Sequence, residues 1–114
     1  MKLSLVIFLF SGSLISFSSP ANAALEDRKI CASTEGDKQI AGCTKWINDP
    51  NEDAFDKSFA YAIRGSAYYI KGLYNLAILD YNKAIEIDAN DSQAYCNRGK
   101  AFHAIGDYDH AIQD

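Results

Sequence analysis

Between residues 58 and 114 the chain carries one pattern twice. Tyr61, Arg64, Gly65, Ala67, Gly72, Tyr74, Ala77, Ile78 and Asp80 recur as Tyr95, Arg98, Gly99, Ala101, Gly106, Tyr108, Ala111, Ile112 and Asp114, every pair at an offset of 34 residues. A fixed period in the range of roughly 20–50 residues constrains a fold strongly. Each unit is one supersecondary element that cannot bury its apolar face alone, so successive units must stack.

Inside the unit the texture is helical. Tyr61, Gly65 and Tyr68 fall at i, i+4 and i+7, one stripe of a helix. Tyr74, Ala77, Ile78, Tyr81, Ala84 and Ile85 make a second stripe at the same spacing. Gly65 costs a helix about 1 kcal/mol relative to Ala, so its use is steric: it lets the second helix approach. Gly72 stands where a helix C-terminus calls for glycine. The unit is therefore a helical hairpin with its core between the two arms.

The run Tyr61-Ala62-Ile63-Arg64-Gly65-Ser66-Ala67-Tyr68, followed by Ala77-Ile78-Leu79-Asp80-Tyr81 and Ala89, resembles the tetratricopeptide repeat. Arg64 and Ala89 depart from the family's Leu and Pro, and Asp88, Asn90 and Asp91 still supply turn and cap chemistry. The resemblance implies an all-α helix-turn-helix repeat array, an α-solenoid, with a full repeat at 58–91 and a partial one at 92–114. It places Tyr61, Gly65, Tyr68, Ala77, Tyr81, Tyr95, Gly99, Phe102 and Ala111 at structural positions. It also implies a non-catalytic protein–protein interaction module whose first helices present an inner groove to a peptide or partner protein. The groove residues would be Phe59, Ala62, Ser66 and Tyr69, continuing with Gln93, Asn97, Lys100 and His103. The family's carboxylate clamp needs Lys and Asn where Ala62 and Ser66 stand, although Asn97 suits it, so recognition of a chain terminus by that route is not expected.

Residues 1–23 read as a signal peptide: Lys2, a largely apolar stretch from Leu3 to Phe17, then Ala21-Asn22-Ala23 as a small-x-small cleavage site. Export to a periplasmic or extracellular space follows, as in an exported bacterial-type member of the family, with no membrane attachment after cleavage. The apolar stretch is short of the roughly 20 residues that span a bilayer. Without residues 1–23 the chain has 91 residues, 10 basic and 15 acidic side chains and a net charge of −5. That balance, with no basic stripe, argues against nucleic acid as a partner.

Residues 24–50 resemble a degenerate hairpin. Gln39 to Ile47 can be laid over Ala77 to Ile85, keeping Ile40, Lys45 and Ile47, with Cys43 in place of the aromatic and Trp46 in place of a small residue. Leu25 to Ala32 would be the first arm and Glu35-Gly36-Asp37 the turn. Asn48-Asp49-Pro50-Asn51 separates this hairpin from the region 51–114. Cys31 and Cys43 lie six residues on either side of Asp37, where antiparallel arms face each other, so a disulfide is expected in an oxidising compartment. Cys96 is left over, without a second Cys at C-x-x-C spacing.

Nothing in the chain reads as catalytic, and no cofactor is implied. His103 and His110 bracket Asp107 and Asp109, but Gly-Asp-Tyr-Asp is ordinary turn-and-cap sequence, so no metal site is expected. Asn90-Asp91-Ser92 is a glycosylation sequon, relevant only in a host that uses such sites. Arg64 and Arg98 recur with the period and are expected to bond to Asp80 or to a neighbouring carbonyl. The second repeat stops about seven residues into its second helix, as in a chain truncated at residue 114. That implies self-association through the unfinished repeat, with Tyr95, Phe102, Tyr108 and Ile112 incompletely covered. The alternative function is an accessory segment of a larger exported enzyme or assembly factor.

Overall fold

The computed structural model describes residues 19–114. The leader reading of residues 1–23 therefore falls mostly outside the described residues. Among the described residues six helices follow one another: α1 (Pro20–Ser33), α2 (Gly36–Asn48), α3 (Ala54–Ile70), α4 (Tyr74–Ile87), α5 (Ser92–Ala104) and α6 (Tyr108–Gln113). Each helix packs on the next in the chain, and α1, α3 and α5 also touch in sequence. The result is two layers of an α-solenoid, with the first helix of every hairpin on one side.

Local chemistry sets the helix ends. Asp53, Asp91 and Asp107 cap α3, α5 and α6, each carboxylate accepting from the backbone N–H three residues on. Gly72 and Gly106, with φ of +79° and +83°, close α3 and α5. In both, the N–H after the glycine donates to the carbonyl five residues back, Leu73 to Tyr68 and Asp107 to Phe102, each at 2.9 Å. The 34-residue period thus holds for the C-terminal glycines as well as for core residues, whereas the N-caps do not keep it: Asp53 and Asp91 are 38 residues apart, and Asp107 falls opposite Leu73, which makes no side-chain cap.

The first hairpin differs from expectation at both ends of α1. The arm opens at Pro20, ahead of Leu25, because the Ser19 hydroxyl accepts from the Asn22 N–H and Pro20 sits in the first turn. The turn is Thr34-Glu35, and Gly36, at φ +61°, already opens α2. Cys31 and Cys43 are fully buried with Cα atoms 4.5 Å apart and sulfurs 2.04 Å apart. They share a core with Trp46, Ile47 and Ala60. A second core joins Ala77, Ile78 and Tyr81 to Ala101 of the following repeat.

The arginines act across three helices. Arg64 donates through Nε and Nη2 to the two oxygens of buried Asp80, both at 2.8 Å, and through Nη1 to Thr44 Oγ1 at 3.0 Å. One repeat later Arg98 holds Asp114 in the same two-pronged way and reaches Asn82 Oδ1 at 2.8 Å. Thr44 and Asn82 coincide when α2 is laid over α4, so α1–α2 occupies the place of a preceding repeat. Tyr61 and Tyr68 flank the Arg64 guanidinium, and Tyr95 and Phe102 flank that of Arg98, all within 6.0 Å. Tyr95 and Phe102 are half-buried, as their repeat equivalents Tyr61 and Tyr68 are. The exposed pair is Tyr108 and Ile112; Ile112 is 83% exposed where its repeat equivalent Ile78 is 8%.

Close approach explains Gly65. A Cβ there would lie 2.9 Å from Tyr81 Cε1 and 3.3 Å from the Ala77 carbonyl oxygen. At Gly99 the nearest atoms, Asp114 Cβ and the Ala111 oxygen, are 3.2 and 3.3 Å away. Overpacking of this kind costs typically 1–3 kcal/mol. Gly65→Leu is expected to lower the melting temperature by roughly 10 °C, more than Gly99→Leu does. Thermal melts followed by circular dichroism check this, and an unchanged melting point for Gly65→Leu would remove the steric reason for the glycine.

Candidate functional site

The inner layer exposes the stripe Phe59, Ala62, Ser66 and Tyr69 on α3 and the stripe Gln93, Asn97, Lys100 and His103 on α5. The structure gathers four of these eight. Ser66, Tyr69, Asn97 and Lys100 surround a cavity of about 200 Å³ between the two helices, together with Tyr81 of α4. Tyr69, Lys100 and His103 also line a larger open cavity of about 660 Å³, against Cys96, Tyr108, Ala111 and Ile112. Phe59, Ala62 and Gln93 lie outside both. Phe59 is exposed and meets Phe55 edge-to-face, ring centroids 5.3 Å apart. Gln93 donates its amide to Asn97 Oδ1 at 3.1 Å.

Tyr81 reaches the site from the second layer. Its ring is 1% exposed and packs on Gly65, while its hydroxyl arrives 3.1 Å from Ser66 Oγ. Ser66 gives its own proton to the Ala62 carbonyl, also at 3.1 Å, so the phenol is the donor in the pair. Burial pushes the Tyr81 phenol above its ordinary value, which the Ser66 hydrogen bond only partly offsets, and it stays protonated at neutral pH. Sequence reasoning assigned Tyr81 to the core and missed this polar end. The signal was a hydroxyl on an otherwise apolar stripe, since a buried Tyr O–H finds a partner.

Charge in the groove is one-sided. Lys100 is exposed and makes no ion pair among the described residues. Asp114, the one carboxylate lining the larger cavity, is held by Arg98. The two histidines diverge: His103 meets Tyr108 edge-on, while His110 stacks on Phe102 and bonds to Asp107 at 2.7 Å. That bond holds the Asp107 carboxyl below its ordinary value. Among the described residues no three His, Cys, Asp or Glu side chains cluster closely enough to hold a metal ion. The arrangement offers hydrogen bonding, one cation and aromatic surface to a chain lying across the helices.

The model of a family described as TPR repeat matches residues 65–106. The DnaJ homolog subfamily C member 7 of Mus musculus is 34% identical over 64 residues, covering 56% of this chain. The chain spans 13% of the length of that relative. No solved structure matches the chain significantly. The shared 34-residue period, the paired helices and the family match converge: residues 65–106 carry tetratricopeptide repeat sequence, a kind of repeat that in general mediates protein–protein contacts.

Proposed function

We propose that the chain is a non-catalytic binding module that receives a peptide or partner protein on the inner faces of α3 and α5. The observation that carries this reading is the cavity between those helices. Lys100, the Asn97 amide and the Tyr69 ring meet there, with Tyr81 and Ser66 behind them. Core packing does not require a cation at position 100, because the equivalent position one repeat earlier is Ser66. Affinity capture with the whole chain as bait tests it. Tyr69→Ala with Asn97→Ala and Lys100→Ala is expected to lose captured partners while the helical signal is kept. Capture indifferent to all three substitutions would move the binding surface elsewhere.

The module is further proposed to work in a periplasmic or extracellular space. The leader pattern ending at Ala23 supports this, as does the pairing of Cys31 with Cys43. The Ala21-Asn22-Ala23 tripeptide sits in the first turn of α1, so a peptidase would have to act before that turn forms. Among the described residues no helix is long and apolar enough to cross a membrane.

A further inference from the structure

The two repeats provide an internal comparison for the groove. Where packing dictates the residue they agree, as at Gly65 and Gly99 or Ala67 and Ala101. On the inner face they diverge: Phe59 against Gln93, Ala62 against Cys96, Ser66 against Lys100, Tyr69 against His103. One backbone position thus accepts either member of each pair, and the fold does not choose between them. The groove accordingly changes character over a single repeat. Its α3 side is aromatic, with Phe55 and Phe59 about half-exposed against each other, and its α5 side is polar and cationic.

We infer that the groove selects an extended peptide in which an apolar side chain is followed or preceded, about four residues away, by an acidic side chain. The apolar group rests on Phe55 and Phe59, and the carboxylate meets Lys100 and Asn97. This rests on the groove being the binding surface. The spacing comes from helix geometry. Phe59 and Ser66 are seven residues apart on α3, about 10 Å along its axis at ~1.5 Å per residue. The step from α3 to α5 adds about 9 Å at right angles, the usual distance between packed helices. The diagonal is roughly 14 Å, the length of about four extended residues.

The acid preference follows from the donors present. Asn97 Oδ1 is occupied by Gln93, which leaves its NH2 group for a ligand. Lys100 contributes an ammonium without a competing carboxylate. Two such donors suit a carboxylate, and a charge-assisted pair is roughly twice as strong as a neutral one. The complementarity is local, since the whole chain carries a net charge of −4. Ala62 and Ser66 supply no second charged set on α3, so the carboxylate is that of a side chain and not of a chain terminus.

A random peptide library with amidated C-termini, selected on the immobilised whole chain, tests the inference. The selected pool is expected to pair Phe, Leu or Ile with Asp or Glu about four residues apart. Lys100→Gln should erase the acid preference and weaken individual peptides about tenfold, leaving the apolar preference intact. Phe59→Gln should do the reverse. Circular dichroism confirms that both variants fold, as is expected for exposed positions. Ala62→Arg, which places a long side chain in the groove, separates the two levels of the proposal. Binders lost with Ala62→Arg but indifferent to Lys100→Gln would overturn the acid-and-apolar code and leave the groove standing. Binders indifferent to both, or no binders at all, would overturn the groove as well. A pool that appears only with free C-termini would assign the carboxylate to a chain end and refute the inference.

Discussion

Asp80→Ala is expected to lower the melting temperature by roughly 12–20 °C, the equivalent of about 3 kcal/mol. Asp80 is buried within α4 and its two oxygens are both taken by Arg64, which also bonds to Thr44 of the preceding hairpin. Removing the carboxylate leaves a guanidinium that is only 17% exposed without its counter-charge, between two tyrosine rings. A guanidinium is too strong a base to give up its proton in a protein, so the arginine cannot escape the loss by becoming neutral. The penalty is that of an uncompensated buried charge, which greatly exceeds the net worth of the pair itself. The double change Arg64→Met with Asp80→Leu should therefore recover most of the loss. Chemical denaturation of the two single variants and the double variant measures the coupling. Additive losses would show that the pair is not the unit holding the three helices.

Loss of the bridge between Cys31 and Cys43 is expected to cost about 3 kcal/mol, the chain-entropy value for a closed loop of this length. The two residues are 12 apart in sequence and sit at the centre of the first core, against Trp46, Ile47 and Ala60. That core is small, so a constraint on the unfolded chain weighs heavily in it. The bridge occupies the place that Tyr81 and Gly65 fill one repeat later, a covalent link standing where an aromatic ring packs elsewhere. Cys31→Ala with Cys43→Ala should melt well below the oxidised protein and close to the reduced one. Non-reducing peptide mapping and intact mass of exported protein should show this bridge alone, an N-terminus at Ala24 and a free thiol at Cys96, which is exposed on α5. A link from Cys96 to either buried cysteine would contradict the fold, because it requires backbone displacement.

Features that depend on short stretches of chain are legible in the sequence alone. The period implies the hairpins, and Asp53, Asp91, Gly72 and Gly106 mark their ends, because caps and turns are set within about five residues. Gly65 and the Arg64–Asp80 pair are readable for a related reason: they recur at the period, and arms of one hairpin must face each other. The pairing of Cys31 with Cys43 is met, but not for the reason of symmetry about Asp37: the turn is Thr34-Glu35, so the two stand three and eight residues from it. Contacts between hairpins are not readable in this way. Arg28 of α1 bonds across to Glu52 and Asp56 and lies 5.3 Å from the Trp46 ring centroid. Gly42, to which helical spacing assigns no role, has Ile30 Cγ2 only 2.6 Å from where its Cβ would stand. Both depend on how long α1 is and on the angle at which one helix meets the next. The same holds for the groove. Helical spacing puts eight residues on the inner face, but only the crossing of α3 over α5 decides that Ser66, Tyr69, Asn97 and Lys100 enclose a cavity. The Tyr81 hydroxyl enters from behind because glycine at position 65 lets its ring pass. Sequence spacing determines which way a side chain points along its own helix; the packing of helices against one another decides what it meets there.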